Sequence, residues 1–222
     1  SGVIAEGHLF IGSDDGYLYA INLTSNKPTW KVDAGDSIRS TPCIHGDMVY
    51  FGTEAGELIS IDFRGTIKWR YRTKKAVTAS PIVHNGLVFV TSQDSIAYAV
   101  DARTGWPVWR YRMGKGSVSS PRVHDDRLFF GSADGFIYCI EAANAKDIWR
   151  FRTDHQVSGT PTIYSDHVYC GSADGCLYCL ECKTGRLVWK FNTGGPITAT
   201  PTISNNLMYF GSFDHMVYAL VV

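Results

Sequence analysis

The sequence predicts an all-β fold of the β-propeller class, with six four-stranded blades of about 40 residues. Two signals recur at one fixed period along the chain. A Ser/Thr-Pro pair and a tryptophan return with a spacing of 39 residues once and 40 thereafter, at Pro42, Pro81, Pro121, Pro161 and Pro201, and at Trp30, Trp69, Trp109, Trp149 and Trp189. A period of this length indicates an array of supersecondary units, and four short strands per unit are typical of a propeller blade.

The four strands of each unit follow from local composition. The first strand carries the Ser/Thr-Pro pair, and an apolar-aromatic run such as residues 48–51 forms the second. The third follows a Gly-rich turn, as in residues 17–21, and the fourth begins near the tryptophan, as in residues 149–152. These runs are rich in β-branched and aromatic residues and show no helical period, so strands are expected throughout.

The turn between the second and third strands appears six times and usually ends in glycine, as at residues 131–135. Glycine supplies the positive φ that a bulged hairpin needs, and aspartate accepts hydrogen bonds from nearby amides. We therefore interpret the recurring acids as turn formers and predict no metal site from them; these acids are Asp15, Asp94, Asp134, Asp174 and Asp214.

The strand count predicts that the first and last blades are incomplete. Second and third strands occur six times, but full first and fourth strands occur five times. We expect residues 1–222 to form a single propeller domain that belongs to a longer parent protein. Strand edges left unfilled are expected to allow association with another chain or segment.

Charge and cysteine content narrow the function classes. The 21 basic and 21 acidic residues cancel, so no overall field favours nucleic acid as a partner, and no apolar run is long enough to span a bilayer. We predict a soluble bacterial domain, either cytoplasmic or periplasmic. The six cysteines are interpreted as buried structural thiols, because Cys139, Cys170 and Cys179 occupy apolar positions of the repeat, with a metal site or a disulfide as the alternatives. Cys170 and Cys176 flank one turn and are the pair most able to meet if oxidised.

The connection from the third strand to the fourth is the most specific motif. It reads A-V-D-A-R-T-G-W-P-V-W from Ala99 to Trp109, and the segment from Cys179 to Trp189 is closely related. This resembles the tryptophan-docking motif A-x-D-x-x-T-G-x-x-x-W of pyrroloquinoline-quinone-like propeller repeats. The resemblance covers the whole chain and implies that each tryptophan packs between neighbouring blades.

The resemblance implies a non-enzymatic scaffold for protein-protein interaction or ligand sensing. Propeller domains attached to bacterial Ser/Thr kinases are the closer comparison, and the lipoprotein subunit of the outer-membrane β-barrel assembly machine is the other. The alternative is a quinone-binding dehydrogenase or a fragment of one. Those enzymes carry adjacent cysteines and calcium ligands on inserted loops, which this sequence lacks. We therefore predict no catalytic residue, cofactor or metal.

Two sets of arginines are candidate partner-binding residues. The first alternates with aromatic residues on three fourth strands and comprises Arg70, Arg72, Arg110, Arg112, Arg150 and Arg152. Such a stripe suits an acidic protein partner, although charged edges also serve to prevent sheet-to-sheet pairing. The second set, Arg39 and Arg122, lies beside first strands, which are innermost in related propellers, and is predicted to line the channel. His45, His84 and His124 fall in consecutive copies, too far apart for one metal ion, and are interpreted as turn residues.

Overall fold

The computed structural model describes all residues from 1 to 222 and contains strands and turns without a helix. No helix is therefore available that could cross a membrane. The chain divides into two compact units, Ser1–Arg112 and Met113–Val222, each of which contains three small antiparallel sheets.

The first unit contains twelve strands. They are β1 (Gly2–Ala5), β2 (His8–Gly12), β3 (Tyr17–Asn22), β4 (Lys27–Asp33), β5 (Cys43–His45), β6 (Met48–Gly52), β7 (Glu57–Asp62), β8 (Ile67–Arg72), β9 (Ile82–His84), β10 (Leu87–Thr91), β11 (Ile96–Asp101) and β12 (Pro107–Arg112). Each run of four consecutive strands forms one sheet, so β1–β4, β5–β8 and β9–β12 are sheets 1, 2 and 3.

The second unit contains eleven strands. They are β13 (Arg122–His124), β14 (Arg127–Gly131), β15 (Phe136–Glu141), β16 (Asp147–Arg152), β17 (Thr162–Tyr164), β18 (His167–Gly171), β19 (Cys176–Glu181), β20 (Leu187–Asn192), β21 (Thr202–Ser204), β22 (Leu207–Gly211) and β23 (Val217–Val221). Sheet 4 is β13–β16, sheet 5 is β17–β20, and sheet 6 holds only β21–β23.

The predicted incompleteness is right for the last sheet and wrong for the first. Sheet 6 has three strands, whereas sheet 1 has all four, because Gly2–Ala5 pairs antiparallel with β2 from Gly2 opposite Ile11 to Ala5 opposite His8. The Ser/Thr-Pro signal is absent there, but a strand needs only an extended backbone with free hydrogen-bonding groups. The assignment of residues 1–222 to one domain of a longer protein stays a prediction.

The core of each unit lies between neighbouring sheets. In sheets 2 to 5 the second and third strands are buried on both faces and therefore read as continuous apolar runs instead of alternating ones. In the first unit, Leu58 and Tyr50 of sheet 2 share a cluster with Val88 and Val100 of sheet 3. In the second unit, Phe129, Ile137 and Cys139 of sheet 4 belong to a cluster with Val168 and Cys170 of sheet 5. Burial of apolar area between sheets is thus the main stabilising term.

The tryptophans bind the next sheet in sequence. The indole Nε1 donates a hydrogen bond to the carbonyl oxygen of the residue 33 positions later; the pairs are Trp30 to Phe63 (2.9 Å), Trp69 to Ala102 (3.0 Å) and Trp149 to Cys182 (2.9 Å). The loop that carries this carbonyl, which we call the docking loop, also packs against the indole ring. This geometry agrees with the packing that the repeat motif implies.

Two physical constraints favour glycine in the docking loop. Gly105 has a φ of +73°, a region that side chains with a Cβ rarely adopt, and a Cβ added there would lie 2.6 Å from the Trp69 ring. Gly185 stands in the same relation to Trp149. The glycine at these two positions therefore suits the preceding sheet's tryptophan as well as the turn itself.

The turn aspartates accept hydrogen bonds from nearby groups, as the sequence indicates. Asp134 accepts a hydrogen bond from the Phe136 amide through Oδ1 (3.1 Å), while its Oδ2 accepts from the Tyr138 hydroxyl (2.6 Å) and the Gly114 amide (2.8 Å). Asp174 repeats the first two bonds, and these bonds hold the pKa of its carboxyl below its usual value against the opposing effect of burial. These acids tie a turn to the segment that follows the preceding fourth strand.

None of the six cysteines forms a disulfide, and five are buried while Cys43 is half-buried. Burial raises the pKa of the Cys170 thiol and of the Cys182 thiol to about 12. A thiol with a raised pKa is a poor nucleophile and a poor metal ligand at neutral pH. The interpretation of the cysteines as core thiols is confirmed for the five buried residues, whereas Cys43 is partly exposed.

The hydrogen bond from Trp69 to the next sheet predicts that substitutions of two tryptophans in the first unit differ greatly in their effect on stability. Trp69→Ala should reduce the free energy of unfolding by about 3 to 5 kcal/mol, because it leaves a cavity between sheets and removes one of the two side-chain hydrogen bonds that the Ala102 carbonyl oxygen accepts. Trp106→Ala should change it by less than about 0.5 kcal/mol, since the Trp106 side chain is 75% exposed. Urea unfolding followed by circular dichroism measures both. Equal losses would contradict the docking role.

Thiol burial predicts selective labelling. In the folded chain at neutral pH, Cys43 should react with Ellman's reagent first, whereas Cys139, Cys170, Cys176, Cys179 and Cys182 should react only after unfolding. Absorbance at the thionitrobenzoate band counts the thiols released. A Cys43→Ser variant is the control and should lose only the fast phase; rapid reaction of several thiols in the native chain would contradict the buried assignment.

Candidate functional site

The second unit holds a cavity of about 620 Å³ along the first strands of its three sheets. We call it the first-strand cavity and define it by the residues of β13, β17 and β21 with their flanks, namely Arg122, His124, Thr162, Tyr164, Thr200 and Thr202. Apolar atoms of Val123, Ile163 and Ile203 complete the wall. Its size and mixed lining suit a peptide segment or a small ligand.

Strand alternation places the polar residues of this cavity. Successive side chains of a strand point to opposite faces, so Arg122 and His124 share one face while Val123 points to the other. Arg122, Thr162 and Thr202 hold the same position on three neighbouring strands. The Thr162 hydroxyl donates to the Pro201 carbonyl oxygen at 2.5 Å, and this bond fixes the spacing of β17 and β21.

Small hydroxyl residues near the first strands also have structural partners. Ser119 Oγ donates to the Gly159 carbonyl oxygen (2.9 Å) and accepts from the Gly131 amide (3.0 Å), and Ser119 is fully buried. In the first unit, Ser40 Oγ likewise accepts from the amide of Gly52 (2.8 Å), but it donates to the carbonyl oxygen of that same residue (2.9 Å). These hydroxyls satisfy buried backbone groups, so they are not available to bind a ligand.

His124 lies close to two carboxylates from adjacent turns. Its Nε2 is 3.3 Å from Asp166 Oδ1 and 3.6 Å from Asp125 Oδ2. Ligand atoms bound to one tetrahedral Zn²⁺ are separated by about 3.4 Å, so these three groups could hold a divalent cation. The neighbouring junction makes the equivalent contact without charge, because the Tyr164 hydroxyl donates to Asn206 Oδ1 at 2.7 Å. A tether between sheets 4 and 5 is sufficient to explain the contact.

A second cavity, of about 610 Å³, lies in the first unit between sheets 2 and 3. Its lining includes Tyr50, Lys68, Asp101, Arg103 and His45. Lys68 is ion-paired with Asp62 at 2.8 Å, and this pairing lowers the pKa of Asp62 to about 2. His45 lines this cavity, whereas the group described above consists of His124, Asp125 and Asp166.

Arg39 and Arg122 have different surroundings. Arg39 is exposed, and its guanidinium contacts Asp14 through Nε (3.2 Å) and Glu54 through Nη1 (3.4 Å), so its charge is balanced within the first unit. Arg122 is exposed and lines the first-strand cavity. The role of both residues in a channel stays a prediction.

Two of the six predicted partner-binding arginines are used to join sheets. Arg70 Nη1 donates to Glu57 Oε2 (2.6 Å) and to the Ala34 carbonyl oxygen (3.0 Å), and Nη2 donates to the Asp33 carbonyl oxygen (3.0 Å). Arg110 Nε donates to the Tyr71 hydroxyl at 3.1 Å, and this bond is the main cause of the raised pKa of Arg110. Both residues reach the preceding sheet.

The other four arginines of the set are exposed. Arg72 and Arg112 end their strands opposite Glu57 and Ile96, respectively. Arg150 lies opposite Tyr138, and Arg152 lies 5.8 Å from the centre of the Phe136 ring. Arg152 also lines a polar cavity of about 250 Å³ with Lys115, Asp154 and His155. Their role in binding a partner stays a prediction.

Sequence reasoning missed an exposed tryptophan, Trp106. Trp106 precedes β12 by one residue and stands where the related copies have Lys146 and Arg186, three residues before the docking tryptophan. This departure from the repeat pattern is the sequence signal that could have identified Trp106. Exposed tryptophan is enriched at protein-protein contacts, and Val108, the second residue of β12, is half-exposed.

The comparisons with known proteins agree on one family. The sequence model of the family described as outer membrane protein assembly factor BamB matches residues 2–90, 45–120 and 93–220. A BamB of Nitrosomonas eutropha is 26% identical over 103 residues, which is 46% of this chain and 25% of that protein. A BamB of Bordetella pertussis is 31% identical over 97 residues, 44% of this chain and 25% of that protein. Each alignment thus covers a quarter of the relative's length.

Solved structures give the fold. The crystal structure of BamB from Moraxella catarrhalis superposes with a TM-score of 0.89 at 21% identity and covers 100% of this chain and 72% of that one. The computationally designed protein Ika8 gives a TM-score of 0.87 at 15% identity and covers 100% and 70%, respectively. The predicted β-propeller fold and the pyrroloquinoline-quinone-like repeat are confirmed.

The contacts of Arg70 predict a separation between stability and binding. Arg70→Ala should lower the free energy of unfolding by about 1 kcal/mol, because it removes charge-assisted bonds to two carbonyl oxygens of the preceding sheet. Arg72→Ala, two residues later and exposed, should change it by less than about 0.5 kcal/mol. Thermal or urea denaturation gives both values. A larger loss for Arg72→Ala would refute this assignment.

Proposed function

Because this chain belongs to the family of outer membrane protein assembly factor BamB, we propose that it is a non-enzymatic propeller scaffold that binds protein partners during assembly of outer membrane proteins. The family match extends over nearly the whole chain and is the observation that carries the proposal. The bacterial cell envelope is the matching location. The sequence alone favoured propeller domains of Ser/Thr kinases, but both curated relatives are assembly factors.

The first-strand cavity supports a protein partner. Three short strands present hydroxyl, aromatic and guanidinium groups over an apolar wall, which is the mixture that protein interfaces use. Arg122 is its exposed cationic group, so we propose that the bound segment carries an acidic residue. A quinone-dependent dehydrogenase is not favoured, because the relatives found are assembly factors and the adjacent cysteines of those enzymes are absent.

Site-specific photo-crosslinking tests the proposal. A benzoylphenylalanine would replace exposed Thr202 in the first-strand cavity, in a chain exported to the periplasm of Bordetella pertussis cells that lack their own assembly factor. We expect adducts with outer membrane proteins or their assembly machinery, identified by mass spectrometry. The same residue placed at exposed Lys146, outside the cavity, is the matched control.

Arg122→Glu should lower the yield of these adducts severalfold, since it reverses the charge offered to an acidic segment. An absence of adducts from Thr202, or an equal yield from Lys146, would overturn the proposal.

A further inference from the structure

Two neighbouring hairpins of the second unit bring one histidine and two aspartates together. His124 ends β13, Asp125 follows it in the turn to β14, and Asp166 lies in the turn between β17 and β18. One imidazole nitrogen and two carboxylate oxygens of these side chains all lie within 4.8 Å of one another. We call the three residues the hairpin cluster. Its donor atoms come from sheets 4 and 5, so a ligand bound to all of them would join the two sheets.

A tether between the two hairpins accounts for only part of this cluster. The next junction of the unit is held by an uncharged hydrogen bond of the Tyr164 hydroxyl, and a serine follows that tyrosine. The contact of His124 Nε2 with Asp166 Oδ1, at 3.3 Å, is sufficient for the same purpose. Asp125 stands where the next hairpin has the serine and places a second carboxylate oxygen 3.6 Å from the same nitrogen. A tether does not need this second carboxylate.

The negative charge of the cluster is not balanced by a basic side chain. Neither Asp125 nor Asp166 has a lysine or arginine nitrogen within 4.0 Å, and His124 is the ion-pair partner of both. The form of histidine that binds metals is the neutral imidazole, and with it the cluster carries two negative charges side by side. The two carboxylate side chains are 59% and 67% exposed, so they are free to turn towards a shared ion. A divalent cation would neutralise both.

We propose that His124, Asp125 and Asp166 bind a divalent transition-metal ion, and that Zn²⁺ suits them best. Imidazole nitrogen and carboxylate oxygen are both zinc ligands, and three protein ligands leave a fourth tetrahedral position open for water or another group. His124 also forms part of the wall of the first-strand cavity, so the ion borders that cavity. Metal binding here does not require the protein partner proposed above.

The periodicity of the sequence does not reveal this cluster. The sequence predicted no metal because His45, His84 and His124 stand in different copies of the repeat. The cluster instead combines one of these histidines with the residue after it and with an aspartate 42 positions later. A glycine follows His45 and an asparagine follows His84, so a carboxylate stands beside this histidine in the fourth copy alone.

Titration of the whole chain with Co²⁺, a spectroscopic substitute for Zn²⁺, tests the proposal by visible absorption and by calorimetry. We expect saturable binding of one ion per chain, displacement by Zn²⁺, and no charge-transfer band of a cobalt–thiolate bond. Asp125→Asn should weaken binding at least about tenfold. Without metal, this substitution should leave the melting temperature unchanged, because the contact between His124 and Asp166 remains. Co²⁺ should raise the melting temperature of the unmodified chain, but not that of Asp125→Asn at the same concentration.

His155→Ala is the matched control, since His155 is an exposed histidine of the same unit without a carboxylate partner, and it should leave the affinity for Co²⁺ unchanged. His124→Ala should weaken binding at least as much as Asp125→Asn does. An absence of saturable binding up to roughly 1 mM overturns the proposal. So does a cobalt–thiolate band, or an affinity that Asp125→Asn leaves unchanged; in each case the cluster is a tether and nothing more.

Discussion

The structure depends on the hydrogen bonds that Trp30, Trp69 and Trp149 make across the junctions between neighbouring sheets. A small four-stranded sheet has two apolar faces and cannot bury either alone. The indole ring packs against the loop of the next sheet, and its Nε1 fixes the register by donating to a single carbonyl oxygen, as Trp69 does with Ala102. Packing supplies most of the free energy, while the bond specifies which loop lies opposite which ring.

The lateral bonds of the first strands complement this interaction. Ser119 and Thr162 each bond to a carbonyl oxygen of the following sheet, so hydroxyls tie the first strands together while tryptophans tie the fourth strands to the next loop. Sheets fixed in this way form a rigid support on which side chains such as Arg122 can be presented. This rigidity is what a scaffold needs.

The sequence could predict most of the fold because its signals repeat. The repeated pattern predicted the six hairpin turns, the docking motif, the strand order and the use of aspartate in turns. The first strand of sheet 1 was misjudged because its residues lack the proline signal although their backbone pairs normally. The side-chain contacts of the candidate site could not be predicted from the sequence in the same way. The repeat shows that Arg70 and Arg72 share one strand face, but only the three-dimensional structure shows that Arg70 reaches two carbonyl oxygens of the preceding sheet. Cavities form between residues about 40 and 80 positions apart, and periodicity does not report side-chain contacts over that distance.

The docking loop has a consequence for how such chains can be divided. Trp69 and Trp149 each lie on one sheet, while the carbonyl acceptor and the glycine against the ring lie on the next, so a cut between two such sheets separates the halves of one binding site. The smallest piece that keeps a whole junction is a pair of neighbouring sheets, not a single blade. Duplication or recombination in steps of one full repeat preserves every such pair whatever residue the step begins at, which gives this architecture a simple way to vary in length.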